Sequence, residues 1–278
     1  MIPYNMDDNI FTSIKDQVKN DYEYFKNKFV PAGYELFILA PYGSMNYGLY
    51  KEGESDIDYK AVIIPSTVRT LIKTQLCNQI QTFMIPYVPY NTVNERMIEV
   101  MDIRIFIDNL LKKSINFCEC VYSPFTVYNP DYYIQWLALT GLRHELGTYS
   151  PNNTIGAVYG HLHNALKRFH SETSKQSKQK QIANSFRLKQ FILNYINGVS
   201  YEKCIIAPPS CWELKFGNIP QEELIKTDKG ITAWVEAFDF EIYRQEANKT
   251  QHSTMTPDEF IKAFDEVAIS AIEKGVYK

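Results

Sequence analysis

The sequence predicts an α/β N-terminal half followed by a helical C-terminal half. Short apolar runs of strand length occur at residues 35–40, 56–64 and 95–103, while from about residue 131 onward apolar side chains recur at helical spacing. We place the join at 128/129, which gives a sheet-bearing domain, 1–128, and a helical domain, 129–278.

Each element has its own signal. In residues 9–28, Ile10, Phe11, Ile14, Val18, Tyr22 and Phe25 line one side of a helix, and Pro31-Ala32-Gly33 ends it. The run 35–40 is a buried strand leading into a turn at Pro41-Tyr42-Gly43-Ser44. Residues 56–64 alternate at their start, become wholly apolar, and stop at Pro65-Ser66, which reads as a second strand reached through a connection containing Gly48 and Gly53. Residues 67–94, interrupted by Pro86 and Pro89, read as a variable insert. In the third strand, 95–103, Met97, Glu99 and Met101 share one face, and Ile98 and Val100 share the other. Asp102 then stands at the N-cap of a helix over 103–113, with Lys112 and Lys113 suited to its last turn. Helices are predicted at 131–146, 155–171, 176–198, 230–248 and 257–274, the last announced by Thr256, Pro257 and Glu259. The polar stretch 171–180 and Ala207-Pro208-Pro209-Ser210 separate helices.

Composition narrows the function classes. A chain of 278 residues that is 45% hydrophobic and 22% charged can bury its own core without staples. No apolar run approaches the roughly 20 residues that span a bilayer. Residues 1–11 carry Asp7 and Asp8 and no basic leader, so a cytoplasmic protein without a membrane partner is expected. Cys77, Cys118, Cys120, Cys204 and Cys211 are odd in number and lack CxxC spacing, the pattern of buried thiols; Cys118 and Cys120 would share a face if extended. A net charge of −3 gives no overall attraction to nucleic acid, so any polyanion site must be local.

The chemistry concentrates at Asp56-Ile57-Asp58. On a strand, Asp-x-Asp sends both carboxylates to one side, where they can hold a single cation. Neighbouring carboxylates repel, so a site that keeps both ionised suits Mg²⁺, or Mn²⁺, which takes oxygen ligands and bridges substrate phosphates. A third carboxylate from the adjacent strand would complete a two-metal site; Glu99 is the candidate, with Asp102 competing although its capping role already explains it. Upstream, Gly43-Ser44 ends a buried strand, where backbone N–H groups and a hydroxyl can meet a phosphate. Lys60 shares the face of Asp58, placed either to reach a phosphate or to neutralise that carboxylate.

Gly43-Ser44-Met45-Asn46-Tyr47-Gly48 followed by Ser55-Asp56-Ile57-Asp58-Tyr59 resembles the signature of the DNA polymerase beta nucleotidyltransferase superfamily. More narrowly it is similar to the predicted phage and bacterial nucleotidyltransferases often found beside RNA ligases. The likeness is specific over residues 40–64 and extends to 95–124, where Glu119 is followed by Tyr122-Ser123-Pro124. In the helical half, Lys180, Asn184 and Arg187 fall at i, i+4 and i+7, where the family carries Lys, His and Arg; Asn184 departs from that pattern.

The resemblance implies an α+β fold: a nucleotidyltransferase mixed sheet with flanking helices, followed by a helical C-terminal domain. It implies transfer of an NMP from a nucleoside triphosphate to an acceptor, with release of pyrophosphate. An RNA end is the expected acceptor, with protein or a small molecule as the other classes. Asp56, Asp58 and Glu99 would be catalytic and metal-binding, and Gly43, Ser44, Ser55, Lys60, Lys180 and Arg187 would bind the nucleotide. The competing reading is a catalytically idle nucleotide or nucleic-acid binding module. A third reading is a phosphohydrolase using the same carboxylates, but the sequence shows no His-Asp pair at the spacing such enzymes use. His161, His163 and His170 read as polar or capping side chains, and Trp136, Trp212 and Trp234 as core and rim.

Overall fold

The computed structural model of the chain describes residues 8–72, 80–85 and 96–278, and for 81–85 and 96 it describes the backbone alone. Cys77 therefore lies outside the described residues. The fold is α+β. A five-stranded mixed sheet runs β1 (Tyr34–Tyr42), β2 (Asp58–Pro65), β3 (Gln81–Ile85), β4 (Arg96–Asp102) and β5 (Val127–Tyr128) along the chain, with spatial order β3-β4-β2-β1-β5. Strands β1 and β2 are antiparallel, β2 and β4 parallel, and β3 and β5 pair antiparallel at the two edges. The segment 67–94, read as an insert, thus supplies an edge strand and the short helix α2 (Val68–Ile72).

Alternation along β2 organises the packing. Tyr59, Ala61 and Ile63 of β2, with Ile98 and Val100 of β4, form one core with Ile14, Val18, Tyr22 and Phe25 of α1 (Asp8–Lys28). Those four helix residues are the apolar stripe expected from the sequence. The opposite face carries Asp58, Lys60, Val62 and Ile64. Helices α3 (Ile103–Leu111), α4 (Ile115–Tyr122), α5 (Tyr133–Gly141) and α6 (Arg143–Thr148) follow. Asp102 caps α3 as expected, its side chain accepting from the Arg104 N–H. Lys113 departs from expectation. It has φ +58°, is buried, and donates to the Leu146 carbonyl at 2.6 Å, so it ties chain segments together instead of facing solvent at a helix end. Cys118 and Cys120 lie on α4, not on a strand, and both are buried free thiols.

The chain divides into two compact units, Met1–Leu146 with Met255–Lys278, and Gly147–Thr254. This border lies beyond the 128/129 join read from the sequence, and the last helix belongs with the sheet. The second unit holds α7 (Pro151–Ser171), α8 (Lys175–Ile196), α9 (Tyr201–Ile205), α10 (Pro209–Phe216), α11 (Gln221–Glu236) and α12 (Phe240–Thr250). The helix expected over 230–248 is in fact two. Asp239 accepts N–H bonds from Glu241 and Ile242 and starts α12 afresh, because an Asp here satisfies orphan helix donors better than it continues a helix. Pro209, read as part of a breaker, also opens α10 from its first turn, where its missing N–H costs nothing.

Helix α13 (Pro257–Val276) begins with the anticipated capping box between Thr256 and Glu259 and belongs to the first unit. Near its end, Gly275 sits so close to β2 that a Cβ would lie 2.6 Å from the Pro65 carbonyl oxygen and 3.1 Å from Ile64 Cγ2. Gly275→Ala gains about 1 kcal/mol of helix propensity but meets a backbone atom that cannot swing away. Overpacking costs roughly 1–3 kcal/mol, so a net loss of about 1 kcal/mol is expected. Urea unfolding checks this, and a variant as stable as the parent would show that α13 does not pack this tightly.

Candidate active site

The site begins where β1 ends. Gly43 has φ +81°, a left-handed conformation that strains any residue with a Cβ, and it opens a 3₁₀ turn, Gly43–Met45. The turn is closed by its own chain: Asn46 N–H donates to the Gly43 carbonyl, Leu49 N–H to the Ser44 carbonyl, and Asn46 Nδ2 to the Pro41 carbonyl. The Gly43 N–H points away from these bonds and donates to Glu119 Oε2 at 3.1 Å. Glu119, on α4, is 1% exposed. An anion therefore already sits on the glycine amide, and it comes from the protein itself.

Register brings the carboxylates to this turn. Tyr42, the last residue of β1, pairs with Asp58, the first of β2, so Gly43-Ser44 and Asp56-Ile57-Asp58 occupy the same end of neighbouring strands. Ile57 is buried in the core shared with α1, and alternation sends Asp58 to the other face. Asp58 is half-buried, and Asp56, just before the strand, is exposed. Ser55 is buried, and its hydroxyl accepts the Lys51 N–H at 3.0 Å, which closes the loop leading to Asp56.

Two residues further along β2, Lys60 pairs in parallel register with Glu99 of β4. The expected choice for Lys60 was between a phosphate and Asp58; its ion-pair partner is Glu99 Oε2. Lys60 is 1% exposed, and its ammonium lies 4.1 Å from the ring centroid of Tyr42 and 4.2 Å from that of Phe117. Both aromatic faces favour a cation. Glu99 Oε1 accepts a bond from the Tyr42 hydroxyl at 3.2 Å. Burial, then the charges of Asp58 and Glu99, push the Tyr42 hydroxyl far above its ordinary pKa, so it stays a donor. Asp102, the competing third carboxylate, is fully buried as a cap and as a two-toothed partner of Arg104, at 2.8 Å to Nε and 2.7 Å to the second guanidinium nitrogen.

Among the described residues, no group of three or more His, Cys, Asp or Glu side chains is arranged to hold a metal ion. Glu119 is taken up by the Gly43 N–H, and Asp56 and Asp58 stand at the end of β2 that pairs with the end of β1. Mg²⁺ is commonly held by one or two carboxylates together with water and substrate phosphates, so this oxygen donor set fits it.

In the second unit, Lys180, Asn184 and Arg187 all lie on α8, as anticipated, but in unlike surroundings. Lys180 is exposed, whereas Arg187 is 4% exposed and donates to Asn184 Oδ1 through Nε and a terminal nitrogen, at 3.3 Å and 3.1 Å. Burial, aided by the charges of Arg187 and Arg168, lowers the pKa of His161, so this imidazole is neutral within the helical unit. His170 is exposed and lies 3.6 Å from Asp228.

Tyr42 and Phe117 were not singled out as working residues, and Glu119 entered through the family resemblance alone, with no role assigned. A lysine within an apolar strand was the available signal, because a buried ammonium requires an anion and favours aromatic faces.

No family model matches the chain, and no curated protein matches it. Among solved structures it is similar to a nucleotidyltransferase-like protein from Exiguobacterium sibiricum 255-15, at 11% identity and a TM-score of 0.28, over 94% of this chain and 77% of that one. The functional reading accordingly rests on this chain's own residues. No described helix is long and apolar enough to cross a membrane.

The Lys60–Glu99 pair yields a stability prediction. Glu99→Ala leaves an ammonium buried without its anion, a loss of about 3–5 kcal/mol. Replacing both partners at once, Lys60→Met with Glu99→Leu, removes the charge as well as its partner and should cost clearly less than Glu99→Ala alone. Urea unfolding of the single and double variants checks the coupling; additive losses would show that the two side chains do not depend on each other.

Proposed function

We propose that the chain is a metal-dependent nucleotidyltransferase that moves an NMP from a nucleoside triphosphate to an acceptor hydroxyl, with an RNA end as the expected acceptor. The observation that carries this reading is the Tyr42–Asp58 register, by which the Gly43-Ser44 turn follows β1 at the same end where the Asp-x-Asp segment enters β2. A phosphate-holding bend and a cation-holding pair are useful to each other at one end of neighbouring strands, where a single polyphosphate can meet both.

In this reading the acceptor hydroxyl gives up its proton to solvent as its oxygen forms a bond to the α-phosphorus, while the bond from that phosphorus to the α–β bridging oxygen breaks and pyrophosphate leaves with that oxygen. Asp56 and Asp58 hold Mg²⁺ or Mn²⁺, which when bound offsets the charge that develops on the phosphate oxygens. The Ser44 hydroxyl holds the phosphate tail in line, the Gly43 N–H expected to share that task being taken by Glu119, and positioning supplies most of the acceleration. Ser55 keeps the loop before Asp56 closed. Lys60 and Glu99 set the charge behind the site.

The test is incubation of the full chain with Mg²⁺ or Mn²⁺, each labelled triphosphate in turn, and RNA, protein and small-alcohol acceptors. Transfer of label with equimolar pyrophosphate is expected. Asp56→Ala and Asp58→Ala should each lower it at least 100-fold, and chelation should abolish it. Transfer that survives both substitutions would remove the site from these residues. Thermal stabilisation by triphosphate and metal, with no transfer to any acceptor, would make the chain a binding module instead.

A further inference from the structure

We propose that Lys60 is a built-in cation that retains Glu99, so that Asp56 and Asp58 take up a single divalent ion with the triphosphate instead of the two ions a three-carboxylate cluster would hold. This inference rests on the nucleotidyl-transfer reading and narrows it to a one-ion site.

Three observations converge on it. Both Glu99 oxygens are in use, Oε2 by the Lys60 ammonium and Oε1 by the Tyr42 hydroxyl at 3.2 Å. The parallel register sets Lys60 directly opposite Glu99, so the pairing is built into the sheet and does not depend on a lucky rotamer. The ammonium is buried between the Tyr42 and Phe117 rings, at 4.1 Å and 4.2 Å from their centroids, where neutral faces attract a cation but cannot replace an anion. Drawing Glu99 onto a second metal ion would strand that ammonium away from water, which a protein strongly resists. The ion would also approach a fixed positive charge two positions from Asp58 on the same strand face. Lys60 thus holds, permanently and without dissociation, positive charge of the kind that a second ion would bring.

Native mass spectrometry of the full chain with Mn²⁺ and each of the four α,β-methylene nucleoside triphosphates counts the ions in the complex. One Mn²⁺ per chain is expected. Glu99→Gln should keep that count and shift the Mn²⁺ dissociation constant less than threefold. The Lys60→Met, Glu99→Leu double variant, which buries no lone charge, should do the same if Glu99→Gln folds poorly. Lys60→Gln, which frees Glu99, should admit a second ion. Two ions bound to the parent chain, or a tenfold loss of Mn²⁺ affinity in Glu99→Gln, would overturn the proposal while leaving the transferase reading in place. A parent chain that takes up no Mn²⁺ with any analogue, or one whose uptake is unchanged by Asp58→Ala, would overturn that reading and this inference with it.

Discussion

Side-chain alternation along β2 is the constraint from which the rest of the site follows. The strand must bury Tyr59, Ala61 and Ile63 against α1, and that obligation sends Asp58 and Lys60 to the opposite face. Once Lys60 is committed to a buried face, the neighbouring strand must offer an anion to it. Parallel pairing with β4 supplies Glu99 directly opposite. A one-residue slip of β2 would invert both faces together, leaving an ammonium and a carboxylate in the apolar core, so the geometry of the site and core packing share one register.

How far the sequence showed this depends on the kind of signal. Ile14, Val18, Tyr22 and Phe25 of α1 and Ile98 and Val100 of β4 declared their faces because periodicity alone decides them. Asp102 and Thr256 declared two helix starts through local capping chemistry. The single helix read over 230–248 failed because apolar spacing outweighed the capping signal of Asp239. Strand β3 stayed hidden because its identity comes from pairing with β4, not from its own short pattern. The Asp-x-Asp pair and the Gly-Ser turn were legible as motifs, and their proximity waited on the Tyr42–Asp58 register. Glu119 was the least legible, because it reaches Gly43 from a helix 76 residues away along the chain.

That last contact says something about how the turn is kept ready. A glycine at positive φ gains its conformation at an entropic cost, since glycine loses the most freedom on folding. The Glu119 carboxylate helps hold the turn by accepting the Gly43 N–H from a buried position on α4, while Asn46 fixes the other side through the Pro41 carbonyl. The bend is therefore shaped before any ligand arrives. Preorganisation of this kind lets binding energy go into positioning a substrate instead of ordering a loop.

The same arrangement sets the electrostatic problem the site has to solve. Asp56, Asp58, Glu99 and Glu119 gather near one end of the sheet, and Lys60, their buried counter-charge there, is committed to Glu99. A polyphosphate approaching such a group of carboxylates is repelled unless a cation travels with it, because like charges at contact range in a partly buried site are weakly screened. In the proposed reading, a divalent ion carried in by the triphosphate would remove the repulsion and link the phosphates to Asp56 and Asp58 in one event. The excess of acid over base at the turn is thus not at odds with binding an anion. Under the proposed function it would make binding conditional on the metal complex of that anion, and so discriminate against the bare phosphates and polyanions that a basic pocket would also accept.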